Sequence, residues 1–162
     1  MYEGDRTLRR HLMDPGYWQP RLQRLADVPR QLVVCPRPDL SRPGIEVLEL
    51  RLQAHDGTPL RALLGRSSFA QRGNLVRLHG AADLQPEELD WGSLDAGRTD
   101  VAVCFAPERR LEDRVLDVLR VAEAASSLET VDTHRFRLGD DACAEGGDEF
   151  LLARLLLERG WI

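Results

Sequence analysis

The residues best placed to do chemistry lie in one segment, residues 131–157, VDTHRFRLGDDACAEGGDEFLLARLLL. Its pattern predicts a short strand, a tight Gly-containing turn and an apolar-faced helix. A side chain on such a turn meets the N-terminus of the following helix, which favours negative charge. Cys143 is the candidate nucleophile, because a thiolate there would gain from that helix end. Asp140, Asp141 and Glu145 surround it. Their carboxylates disfavour a thiolate and repel an oxyanion. With Asp148 and Glu149 they form an acidic cluster, and hard cations take carboxylates. The spacing is not that of a calcium loop, and acids in a first helical turn suit the helix dipole. The expectation is therefore helix-capping acids and no metal. Gly139, Gly146 and Gly147 make no phosphate loop and no lysine follows, so no nucleotide or other cofactor is expected.

His79 is the other candidate, a possible general base at the end of a predicted strand, where sites sit in open α/β sheets. The preferred reading is a structural histidine in a His-Gly turn. His11, His55 and His134 have no spacing partner for a metal. Cys35, Cys104 and Cys143 form no CxxC pair and are odd in number, which argues against zinc and against a disulfide framework. Reduced thiols fit a cytoplasmic protein.

These residues need a frame. A chain of 162 residues with 43% hydrophobic and 30% charged side chains can bury a real core. A net charge of -5 argues against nucleic acid as a partner. All 22 basic residues are Arg. There is no apolar run long enough for a membrane span, and residues 1–18 lack the apolar core of a secretory signal.

Asp14-Pro15 is a helix start, and Trp18, Leu22 and Leu25 follow at helical spacing. Residues 29–44, with four prolines, read as an extended connector. From Ile45 the period becomes two: Leu48, Leu50, Leu52 and Ala54 face one way, and Glu49, Arg51 and Gln53 the other. Asp56-Gly57 signals a hairpin, and Leu60, Ala62 and Leu64 line one face of the return strand. A polar loop over 65–73 precedes the strand NLVRLHG. LQPEELDW suggests a short helix, and DVAVCFA a buried parallel strand with Cys104 buried in it. Residues 111–128 predict a helix with Val115, Val118, Leu119, Ala122 and Ala125 inside, and Glu112, Asp113, Arg114 and Arg120 wet. HRFRLG is the fifth strand. The last helix, from about Asp148, places Leu151, Leu155 and Leu156 on one face. Together these imply a three-layer α/β sandwich with a mostly parallel, doubly wound sheet opened by an antiparallel hairpin. Residues 1–44 hold the first helix and connector and 45–162 the α/β unit, in one globular domain overall.

In this order the pieces resemble the acetyl xylan esterases and cephalosporin-C deacetylases, a branch of the α/β-hydrolase fold. GYWQPRLQRL resembles that family's N-terminal helix, PGIEVLELRLQAHDGTPLRALL its opening hairpin, and NLVRLHG its third strand ending in His-Gly. RVLDVLRVAEAASSLETVDTHRFRLG resembles the helix and strand leading to its nucleophile elbow. The resemblance implies that Ala142 stands where the family's serine does; shifted registers offer Asp141, Cys143 or Ala144. No serine follows Ser127. It also implies that His79, Gly80 and Ala81 mark the former oxyanion region, with Ala81 where the family has an aromatic residue. The insertion the family carries between positions matching Phe105 and Leu111 is short here. Its acid and histidine come from strands beyond the matching part, so the chain reads as a truncated relative. The expectation is a non-catalytic pseudo-hydrolase, acting through binding or self-association as a homodimer. The alternative is a carboxylic-ester hydrolase, a deacetylase with a non-standard or shared active site.

Overall fold

The computed structural model describes residues 14–67, 76–129, 136–138 and 148–158. Helix α1 (Pro15–Asp27) begins as its sequence dictates. The Asp14 carboxylate accepts from the Gly16 N–H at 2.9 Å, and Pro15 sits in the first turn, where its missing N–H costs nothing. Trp18 and Leu25 are buried and Leu22 is half-buried, so the expected stripe faces inward.

The proline-rich connector contains a strand. β1 (Val33–Pro36) pairs antiparallel with β2 (Ile45–Gln53). It lies at the edge of the sheet and ends in Pro36, a position where a missing donor is tolerated. Four residues ending in proline carry too little alternation to declare themselves. β2 turns into β3 (Pro59–Ser67) through the predicted Asp-Gly hairpin. The Gly57 N–H donates to the Ala54 carbonyl at 3.0 Å, and Gly57 takes φ +84°, which only glycine adopts freely.

The chain continues through β4 (Val76–Ala81), helix α2 (Trp91–Asp95), β5 (Thr99–Cys104), helix α3 (Leu111–Glu129), β6 (Phe136–Leu138) and helix α4 (Asp148–Glu158). The segment read as one short helix is a single 3-10 turn at Pro86–Glu88 followed by α2, because Asp90 restarts the chain as a cap. The sheet order is β1-β2-β3-β5-β4-β6. β1 and β3 run against the other four strands, so the sheet is mixed, with β4 parallel to both β5 and β6.

Alternation divides the sheet into two apolar faces. Leu48, Leu50, Leu52, Leu60, Ala62 and Leu64 join Val76, Leu78, Val101 and Val103 on one face, beneath α1, α3 and α4. Ile45, Val47, Leu63 and Ala102 form the other with Leu89 and Leu94 of the α2 region. Trp18 belongs to the first cluster, so α1 packs on the same core as the sheet.

Two helices bury more than their stripes announce. In α3 every residue from Val115 to Leu119, and on to Ala122, is buried. Arg120 is only 3% exposed, contrary to the wet position its spacing suggested. The cause is that α3 also packs against α1 and α4, which cover its flanks. In α4 the buried set is Glu149, Phe150, Leu152, Ala153 and Leu156, while Leu155 is half-buried. Leu156 thus faces inward as expected, and the side chain of Leu151 lies outside the described residues.

Candidate functional site

Helices α2 and α3 leave β4 and β5 toward opposite faces of the sheet. The carboxyl end of β4 is thus a switch point, the place where α/β sheets commonly bind ligands. His79, Gly80 and Ala81 occupy it. Asp141, Ala142 and Cys143 lie outside the described residues.

The imidazole of His79 is engaged on both sides. Its Nε2 lies 2.8 Å from Asp100 Oδ2, and its Nδ1 lies 3.2 Å from the Gly80 carbonyl. Asp100 projects from β5 directly opposite Arg77 of β4 and is wholly buried. Its Oδ2 also accepts from the Asp90 N–H at 2.8 Å. Asp90 caps α2 by accepting from the Ser93 N–H at 3.1 Å, and its other oxygen meets Arg77 and the Ser93 hydroxyl. Burial alone would lower the His79 pKa, but the hydrogen bond and charge of Asp100 outweigh it and hold the ring above its ordinary value. The whole array fastens α2 to β4 and β5.

Gly80 faces the other way. A Cβ there would lie 3.5 Å from the Phe150 ring and 3.8 Å from that of Phe105. The two rings meet edge-on with centroids 6.1 Å apart and cover the end of β4. Ala81 packs against the α2 cluster. Cys104 is half-buried, not fully buried as expected, since it is the last residue of β5. Its Sγ is 3.8 Å from the Ala82 carbonyl, and burial pushes the thiol pKa up, which keeps it protonated at neutral pH.

Beside this end of β5 the sheet carries a second polar network that spacing gave no hint of. The Arg109 guanidinium donates Nε and Nη2 to Asp117 at 3.0 and 2.9 Å, and Nη1 and Nη2 to Asp56 at 2.5 and 3.2 Å. Arg109 and Asp117 are nearly inaccessible, with side-chain exposures of 8% and 2%. The guanidinium holds the Asp56 carboxyl well below the usual carboxylate range. For Asp117 burial raises the pKa despite the same arginine. Glu108, at φ +58°, turns the loop immediately before Arg109. The loop after β5 is thereby locked to the β2–β3 hairpin.

His55, which has no spacing partner in the sequence, finds one in space: its Nε2 is 2.8 Å from Asp113 Oδ1, 58 residues away. Ligand atoms of His55, Asp56 and Asp113 lie within 4.8 Å of one another. Both carboxylates already face guanidinium groups, Asp56 that of Arg109 and Asp113 that of Arg110 at 3.6 Å.

Solved structures similar to this arrangement of strands and helices include esterases. An acetyl xylan esterase from Paenibacillus sp. R4 aligns with a TM-score of 0.59 at 19% identity, over 74% of this chain and 48% of its own. The fold is that of the α/β hydrolases. Acetyl xylan esterase 1 from Thermoanaerobacterium sp. JW/SL YS485 gives 0.59 at 14% identity, over 75% of this chain and 48% of that one. A hyperthermophilic esterase from Pyrobaculum calidifontis gives 0.54 at 18% identity, over 96% and 47%. The chain thus spans about half the length of these α/β hydrolases. No family model and no curated protein matches the sequence. Among the described residues no helix is long and apolar enough to cross a membrane.

Proposed function

We propose that this chain is a non-catalytic domain on an α/β-hydrolase fold, acting through binding or self-association. The observation that carries the reading is the engagement of His79. A general base needs one imidazole nitrogen free to take the nucleophile's proton while the other is oriented. Here one nitrogen faces a buried carboxylate and the other a carbonyl, an arrangement that favours the doubly protonated ring. Such a ring donates two hydrogen bonds and accepts no proton. The sequence adds to this: the resemblance puts Ala142 at the nucleophile position, and no serine follows Ser127.

Self-association is the positive half of the proposal. β6 is the outermost strand on its side of the sheet among the described residues. An edge strand offers unpaired N–H and C=O groups to another strand. A second copy of the chain is the partner we assign, in a cytoplasmic, thiol-reducing setting.

Hydrolysis of p-nitrophenyl acetate by the purified chain tests the reading, and the expected rate is that of buffer. Turnover that alkylation of thiols removes would assign catalysis to a cysteine. Turnover removed by a serine-directed phosphonate would overturn the proposal. The fold shared with esterases favours a second reading, an ester hydrolase whose site is shared between chains. Its mark would be activity per chain that rises with protein concentration.

A further inference from the structure

We propose that the groove between α1 and α3 binds a small monocarboxylate with an apolar body, and that Arg120 is its anchor. This site is separate from the carboxyl edge of the sheet and does not depend on the reading of His79. The groove has a volume of about 720 Å³ and is lined by Gln19, Pro20, Leu22, Leu25, Arg120 and Glu123, among others. That is within the size range of small-molecule sites, roughly 300–1,000 Å³.

Arg120 is 3% exposed, and its Nε is buried with no hydrogen-bond partner among the described residues. Its Nη2 donates to the Val28 carbonyl at 2.8 Å. Among the described residues no carboxylate lies within ion-pair distance of it. Asp117, one turn earlier, is held at both oxygens by Arg109. Glu123 is 61% exposed and reaches Arg30 at 3.5 Å instead. Burial pushes the Arg120 pKa down and Arg30 adds to it, while the carboxylates of Glu123 and Asp117, neither bonded to Arg120, offset this only in part. An arginine does not escape such a site by losing its proton. A buried guanidinium with no carboxylate bonded to it is costly, whereas one paired with a carboxylate makes short, strong, two-pronged hydrogen bonds. The unfilled donor therefore calls for an anion.

The rest of the groove narrows the class. Leu22, Leu25, Pro20 and Ala26 supply apolar wall for a hydrocarbon body. Glu123 at the rim would repel a second negative charge, which disfavours a phosphate dianion or a dicarboxylate.

Calorimetric titration with octanoate, octan-1-ol and acetate tests this on the full chain. Octanoate should bind one to one. Octan-1-ol lacks the charge and acetate the body, so each should bind at least about tenfold more weakly. Arg120→Met should abolish octanoate binding. Glu123→Gln changes an exposed side chain and should strengthen binding severalfold, so it decides the matter even if the Arg120 variant misfolds. Octanoate that fails to bind at millimolar concentration, binds no better than octan-1-ol, or ignores Glu123→Gln overturns the proposal.

Discussion

Arg109 joins a hairpin turn, a loop and a helix through five hydrogen bonds. Asp117 depends on it, because a buried carboxylate without its cation is strongly destabilising. Arg109→Met should therefore cost about 3–5 kcal/mol in chemical denaturation. Arg109→Lys should recover only part of the loss, since an ammonium cannot span two carboxylates with a planar fork. A loss below ~1 kcal/mol for Arg109→Met would show the network to be ornamental. His79 makes a prediction in pH. Its pKa in the folded chain lies above the ordinary 6.5, so the protonated ring stabilises the fold. That contribution is complete below pH 6.5 and fades as pH rises through the folded value. Stability of the parent relative to His79→Gln should thus fall between acidic and alkaline buffers. A constant difference between the two proteins, measured by urea midpoints across that range, would reject the imidazolium.

Gly65 shows what an element demands of a single position. It lies in β3 beneath α2, and a Cβ there would sit 2.8 and 3.1 Å from the two methyl carbons of Leu94 and 3.4 Å from Leu89. Leu94 is wholly buried and has nowhere to go. Gly65→Ala should lift α2 from the sheet at roughly 1–3 kcal/mol. Combining it with Leu94→Ala should cost less than the sum of the two single changes, a coupling that thermal denaturation of the four proteins would reveal. The sequence made this sheet legible wherever alternation ran long enough, as in Leu48 to Leu52 and Leu60 to Leu64. It concealed β1, which is short and ends in proline. It also concealed the polar interior. Arg120 and Asp117 occupy positions that a helix on a sheet would leave wet; Arg120 is buried beside the end of α1, where it meets the Val28 carbonyl, and Asp117 against Arg109. Asp100 hides inside an otherwise apolar strand. His55 meets Asp113, and Arg109 meets Asp56, across more than fifty residues, which no local pattern encodes. The His-Gly turn was readable as a position, but the hydrogen bonds that define His79 belong to the tertiary fold.

At the scale of the whole molecule the proposal of self-association becomes a mass. Light scattering at micromolar concentration should give twice the 18.3 kDa of one chain, and a value equal to one chain would dismiss the dimer. The two borders of the sheet differ in a way that bears on how far such assembly can go. β1 is four residues long and ends in Pro36, and Gln31 just before it takes φ +47°. Short strands and edge prolines are devices that resist further pairing. A sheet that is adhesive along one border and blunt along the other behaves as a chain terminator. Two copies joined border to border leave only blunt borders outside, so growth halts at the pair. A ribbon or fibre would require the β1 border to recruit as well. Lengthening that strand and replacing Pro36 should turn a finite particle into one whose mass climbs with concentration.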